Sequence, residues 1–172
     1  MRPIRTEKQK MLAGELYDAN DAELCAERNR ARLLCQALNA LDATEPSPQR
    51  DALLARLLNS VTQPRITSPF FCDYGYNIRL GANAYFNFNC VILDVVSVSV
   101  GSNTLFGPGV HIYTASHPMG ASERQAGPEF GSPVTIGDDV WVGGGALLFP
   151  GVSFGSGTGI GAGDVSSRHI PA

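Results

Sequence analysis

The sequence predicts a mainly β fold: a left-handed parallel β-helix of hexapeptide repeats with a small helical domain at its N-terminus. Three observations predict it. First, an apolar residue, usually followed by a small one, returns every sixth position, as in Ile136-Gly137, Val142-Gly143, Leu148-Phe149, Phe154-Gly155 and Ile160-Gly161. Earlier runs lead from Leu80-Gly81 to Ile92-Leu93 and from Val100-Gly101 to Ile112-Tyr113. A fixed short period marks a solenoid, and six residues per side with three sides per turn closes a triangular coil. Second, most of the nineteen glycines follow Tyr74, as a coil with frequent sharp corners requires. Third, from Ile66 onward short β-branched and aromatic pieces alternate with Gly, Asn and Pro. Such a prism fills its interior with its own side chains. Function must then sit on an interruption of the pattern or between subunits.

The elements follow in order. Residues 1–62 read as the helical domain and 63–172 as the β-helix. Thr6 and Gln9 form a capping box for a short helix that ends near Gly14. Asn20 with Glu23 reads as a second box, opening a helix whose packed face is Leu24, Arg28, Ala31, Leu34, Cys35 and Leu38. Arg28, Arg30 and Arg32 read as solvated or paired. Thr44 to Pro48 breaks the helical pattern. Ser47 caps a third helix, with Pro48 at its first position and Leu53, Leu54, Leu57 and Leu58 as its stripe. In the β part, Pro108-Gly109 and Pro150-Gly151 are corners. Residues 116–133, rich in Gly, Pro, Ser and charge, break the register and read as an external loop with His117 at its root.

Composition narrows the function classes. A net charge of −3, without a basic cluster carrying aromatics, argues against nucleic acid or acidic membranes as partners. The basic N-terminus has no apolar stretch behind it, so it does not read as a secretory signal, and no segment is long enough to span a bilayer. Cys25, Cys35, Cys72 and Cys90 show neither CxxC pairing nor a histidine at ligand spacing. Buried free thiols in a cytoplasmic protein, with no metal, is the expectation.

Several segments are similar to a known family. Thr114-Ala-Ser-His117-Pro, Pro133-Val-Thr-Ile-Gly-Asp-Asp-Val-Trp141-Val-Gly-Gly-Gly and Pro150-Gly-Val resemble the hexapeptide-repeat sugar O-acetyltransferases, the maltose and galactoside group in particular. Lys10-Met-Leu-Ala-Gly-Glu-Leu-Tyr17, Asp73-Tyr-Gly-Tyr-Asn-Ile and Asn87-Phe-Asn-Cys-Val-Ile-Leu-Asp94 extend the resemblance over nearly the whole chain. It implies a homotrimer with active sites between subunits and acetyl-CoA lying where two prisms meet. Acetyl would pass directly to a sugar hydroxyl, with no acyl-enzyme and no metal.

An alcohol is a weak nucleophile until its proton has an acceptor, and an imidazole titrates in the right range. By the resemblance, His117 is that base. Asn87 contacts substrate and supports the oxyanion, since a carboxamide both donates and accepts; an asparagine ladder or turn cap is its other reading. Asp73 either accepts from sugar hydroxyls or caps a turn, and Tyr85 either meets the sugar or packs. Asp94 lies beside a further substrate position that aligns with Val95, and Glu129 could touch the acceptor. Asp18 and Asp21 are possible contacts across an interface. For the donor, Gly144 and Ala162 match small positions against which the pantetheine arm lies, and Ser167-Arg168 matches a Thr-Lys pair that reaches the CoA phosphates. Trp141 either lines the donor groove or packs between coils. His111 should face outward as a structural residue, and His169 has no assigned role.

The family pattern continues beyond Ile170-Pro171-Ala172 with a Gly-x-Pro-Ala-Arg stretch, whose absence predicts weaker CoA binding. Gly157-Thr158-Gly159 and Ser166 replace the usual aliphatic residues and predict a looser last coil. The leading expectation is acetyl transfer to a glucose- or maltose-like sugar. Another hydroxyl acceptor (an oligosaccharide signal or an antibiotic), an inactive trimeric scaffold and a metal-dependent hydratase are the alternatives.

Overall fold

The structure, a computed structural model, describes residues 5–41, 47–58 and 64–172. The break expected at Thr44–Pro48 lies mostly outside them, as does the boundary expected at 62/63. From Arg65 the chain winds through about five turns of a left-handed parallel β-helix with three sides. The first side stacks strands Arg65–Ile66, Tyr85–Phe86, Leu105–Phe106, Trp141–Val142 and Gly159–Ile160. The second stacks Phe70–Cys72, Cys90–Leu93, His111–Tyr113, Leu147–Leu148 and Val165–Ser166. The third stacks Ile78–Leu80, Val98–Val100, Val134–Ile136 and Ser153–Phe154. All three ladders are parallel and pair like positions of successive hexapeptides.

The register explains the period. Inward residues recur at steps of six along most of the coil, with steps of eight from Cys72 to Leu80 and from Ile92 to Val100, and each stands over its counterpart one turn away. The inward columns are Ile66–Phe86–Phe106–Val142–Ile160, Cys72–Ile92–Ile112–Leu148–Ser166 and Leu80–Val100–Ile136–Phe154. The rings of Phe86 and Phe106 stack at 4.2 Å between centroids, nearly parallel. The corners stack backbone on backbone. A Cβ on Gly107 would lie 2.5 Å from the Gly144 nitrogen, and one on Gly143 would lie 2.4 Å from the Ala162 nitrogen. Gly109 and Gly151, in the two Pro-Gly corners, have φ of +66° and +83°.

Three helices close the upper end. α1 (Glu7–Leu12) carries the Thr6–Gln9 capping box that its sequence predicts. α2 (Ala22–Asn39) starts one residue later than expected. Its cap is Asp21, whose carboxylate accepts from the Glu23 and Leu24 N–H groups, while the Asn20 N–H turns back to Asp18. α3 (Pro48–Leu57) is capped by Ser47 with Pro48 in its first turn. Ala31, Leu34, Cys35 and Leu38 of α2 join Leu54 and Leu57 of α3 in one core with Ile66 and Phe70 of the first turn. The open end of the solenoid is thereby covered, as a stack of this kind requires.

Residues 116–133 correct the expectation of a plain loop. The strands Ala115–Ser116 and Pro128–Gly131 pair antiparallel around a short helix, α4 (Ala121–Gln125). A strand from the N-terminal region, Tyr17–Asp18, adds to the same sheet with Tyr17 opposite Glu129. The excursion is therefore tied to the helical region. At the other end the ladder continues to Ile170, whose N–H donates to the Ser153 carbonyl and whose carbonyl accepts from Gly155.

Ser166 stands in the inward column beneath Leu148 and is buried. Its hydroxyl donates to the exposed Asp164 carboxylate, a bond of small net value. We expect Ser166→Val to raise stability by about 1 kcal/mol, measured by urea denaturation; an unchanged midpoint would show that this turn gains nothing from an apolar rung.

Candidate active site

The expected site residues divide between two edges of the second side. The chain enters that side past Asn87, Gly107, Gly143 and Gly161, and leaves it past Asp73, Asp94, His117 and Ser167. Tyr85, Asn87, Trp141, Gly144 and Ala162 therefore lie on or next to the entry edge. Asp73, Asp94, His117, Glu129, Ser167 and Arg168 lie at the exit edge. At about 3.3 Å per residue, a full side separates them by on the order of 15 Å. Asn87 and His117 of one chain do not meet.

At the exit edge, His117 is half exposed where the polypeptide leaves the coil. Its Nδ1 lies 3.3 Å from the Pro128 carbonyl, and its Nε2 faces Glu129 Oε1 at 3.9 Å. With a proton on Nδ1 shared with that carbonyl, Nε2 keeps its lone pair for a substrate hydroxyl. The other Glu129 oxygen accepts from the Tyr17 hydroxyl at 2.7 Å. Burial pushes the Tyr17 phenol well above its ordinary pKa, and the neighbouring carboxylate adds to this, so Tyr17 remains a donor. Asp73 is partly buried between Arg28, Arg32 and Glu129. Desolvation raises its carboxyl above the usual range and the two guanidinium groups oppose the shift. A groove of about 630 Å³ opens beside it between α2 and the second side, with Phe71, Val91 and Leu93 on its floor.

Asp94 is a correction. It is fully buried, and its two oxygens accept from the N–H groups of Asp73, Tyr74 and Gly75 at 3.1, 2.9 and 2.7 Å. It ties two successive turns together at their exit and has no surface to offer a substrate. Val95, the aligned neighbour, is buried against Tyr17 and Tyr74. Asp18 is exposed at the end of the added strand, and Asp21 caps α2.

At the entry edge, the Asn87 side-chain oxygen accepts from the Phe88 N–H at 2.8 Å, and its amide nitrogen makes no hydrogen bond among the described residues. It is not part of an asparagine ladder. That ladder runs on another corner, from Asn83 to Asn103 to Asp139 at 3.0 Å per step. Tyr85 stands on the outer face of the first side, its ring beneath Arg65 and its hydroxyl 3.4 Å from Thr67. It shares a row with Leu105 and Trp141, which are 47% and 61% exposed. The open row makes Trp141 an outward residue and not a packed one. Gly144 accepts from Gly163 through its carbonyl, and its N–H makes no bond among the described residues. Ala162, Ser167 and Arg168 are exposed.

The remaining histidines have local partners. His111 lies on the outer face, its Nδ1 against the Tyr113 hydroxyl, and His169 Nδ1 accepts from Ser153. Among the described residues no His, Cys, Asp and Glu cluster suits a metal ion, and all four cysteines are free thiols. Tyr17 and the bond from Arg28 to the Tyr74 hydroxyl beside Asp73 are not legible in the sequence as site features. Tyr17 belongs to a two-residue strand too short for periodicity, and its partner is 112 positions away.

The molecule thus joins a hexapeptide solenoid, a histidine-bearing excursion at one edge and glycine-stacked corners at another, and the comparisons with known proteins name its class. Residues 10–62 match the family model of the maltose acetyltransferase hexapeptide capping motif. Nodulation protein L of Rhizobium meliloti is 48% identical over 150 residues, covering 87% of this chain and 81% of that protein. A maltose O-acetyltransferase from Clostridium difficile 630 superposes with a TM-score of 0.94 at 43% identity, over 98% of this chain and 90% of that one. A galactoside acetyltransferase in complex with coenzyme A superposes with a TM-score of 0.90 at 30% identity, over 98% and 84%. The chain belongs to the hexapeptide-repeat acetyltransferases of the maltose and galactoside type.

Burial pushes the Asp94 carboxyl up to about 7, ahead of the opposing effect of its N–H donors. Its folded pKa then exceeds its unfolded value near 3.9, so the folded chain holds a proton that the unfolded chain has lost between pH 4 and 7. The contribution of this group falls as pH rises through that window. We expect the stability difference between wild type and Asp94→Asn to shrink from pH 4 to pH 7, as read by urea denaturation; a flat difference would refute the assignment.

Proposed function

We propose that the protein transfers acetyl from acetyl-CoA to a hydroxyl of a glucose- or maltose-like sugar, with His117 as general base. The observation that carries this reading is His117 itself, half exposed at the root of the excursion with Nε2 open and a carboxylate beside it. The acceptor oxygen attacks the thioester carbonyl as Nε2 takes its proton. Asn87 and the Gly144 N–H donate to the oxyanion. Collapse of the tetrahedral intermediate breaks the C–S bond, and the imidazolium returns the proton to the thiolate of CoA. Asp73 and the groove beside it hold the sugar, with the two guanidinium groups nearby. The galactoside acetyltransferase holds coenzyme A, which supports the same donor here. Gly144 and Ala162 let the pantetheine arm lie close, Trp141 lines its path, and Ser167 and Arg168 meet its phosphates.

The division of these groups between two edges supports a homotrimer. A threefold arrangement that lays the entry edge of one chain against the exit edge of the next brings Asn87 to the partner's His117. The exposed Leu105 and Trp141 on the first side, and Phe71 and Val165 on the second, give such an assembly an apolar surface. The unpaired thiols are consistent with the cytoplasm, where we place the protein.

His117→Ala is expected to lower kcat by at least about a hundredfold while the dissociation constant for acetyl-CoA stays within about twofold. Free-thiol release with maltose as acceptor, together with calorimetry, measures both; unchanged turnover would exclude His117 as the base. Light scattering should give three times the 18.3 kDa chain mass. Leu105→Asp should shift it toward the monomer and abolish turnover, and an active monomer would overturn the shared site.

A further inference from the structure

We propose that Tyr17 is a positioning residue for the transfer: it holds Glu129 by one carboxylate oxygen so that the other is presented to His117. This inference rests on His117 being the base. It assigns the helical N-terminal region a part in the chemistry, beyond closing the solenoid.

Tyr17 is 2% exposed, packed among Met11, Leu24, Tyr74 and Val95. A phenylalanine would satisfy that packing. The hydroxyl has to find a partner inside, and the partner is Glu129 Oε2 at 2.7 Å. Strand pairing sets the alignment, since Tyr17 stands opposite Glu129 in an antiparallel ladder whose other edge is Ala115–Ser116, immediately before His117. Three points of the reacting corner are thus fixed by one small sheet.

Glu129 has three rotatable side-chain bonds and its side chain is 25% exposed. Unheld, its carboxylate gains freedom by swinging into water. Held by Tyr17, its second oxygen stays 3.9 Å from His117 Nε2. That distance exceeds a hydrogen bond while the imidazole is neutral and leaves room for a sugar hydroxyl. When Nε2 takes the hydroxyl proton, an imidazolium forms beside a fixed negative charge, and the two attract. The proton then passes to the departing thiolate and the imidazole is neutral again. Tyr17 keeps its own proton throughout.

The alternative is that the bond only fastens the N-terminal region to the excursion. The two roles part in a double-mutant cycle on the full chain with Tyr17→Phe, Glu129→Gln and their combination. Acetyl-CoA and maltose serve as substrates. Each single change is expected to lower kcat about tenfold, the worth of one hydrogen bond to a charged group, with KM for acetyl-CoA unchanged. The double variant should be no slower than Glu129→Gln alone, within about twofold. Multiplicative losses, or a Tyr17→Phe variant with wild-type kcat, would overturn the proposal. A second readout needs no acceptor. The His117 ring resonances, assigned with His117→Ala, should move in Tyr17→Phe, and unchanged resonances would also overturn it. If wild type transfers acetyl to no sugar, the proposed function falls, while these resonances still decide whether Tyr17 acts on His117.

Discussion

Everything in this molecule depends on the in-register stacking of backbone on backbone at the corners. The ladder hydrogen bonds fix the rise between turns, and the glycines let the corners approach. Ala162 sits against Gly143 and Gly144 against Gly107, where a Cβ would lie within 2.5 Å of a backbone nitrogen. The period of six is the trace of this constraint, because each side needs the same few residues to keep its inward side chains in columns, and extra residues are taken up at the corners or in the excursion. A prism built this way has no internal cavity for a ligand. Its chemistry is forced to the edges, where the chain turns and side chains or bare N–H groups face out.

That geometry accounts for the distribution of polar groups. One edge offers bare backbone, an asparagine amide and an open tryptophan. The other offers an imidazole, two carboxylates and two guanidinium groups. In the proposed reaction the two sets are complementary, the base coming from the second and the glycine-lined surface from the first. On the proposed function, separation by a whole side of the coil gives lateral association a part in the reaction, and not merely in stability.

The coil is legible because its repeat runs through many turns and each position is inward, outward or at a corner. The inward positions from Leu80 to Ile160 and the Pro-Gly corners follow directly from the sequence. The helix starts at Thr6 and Ser47 were legible because capping is local, and the shift from Asn20 to Asp21 arose because two adjacent residues could both cap. The excursion was misjudged for a different reason. Its order comes from pairing with Tyr17–Asp18, a contact across most of the chain that no local pattern records. Asp94 was misjudged because a carboxylate next to a substrate position looks the same in sequence whether it faces a ligand or the backbone of the preceding turn. Burial and the three N–H donors decide the matter, and neither is visible before the turns are stacked.

The excursion also explains why this solenoid carries a helical segment beyond its plug. A regular turn would place residue 117 in the ladder, with its backbone satisfied above and below and its side chain fixed in a row. Leaving the ladder frees the histidine from the row, but it also frees the backbone. The antiparallel pairing of Pro128–Gly131 restores order on one side and Tyr17–Asp18 on the other. Because the third strand comes from outside the coil, it can bring a hydroxyl to a place that no hexapeptide position reaches. The packing that buries Tyr17 against Met11 and Leu24 is therefore continuous with the geometry at His117, and the helical region and the reacting corner form one mechanical unit.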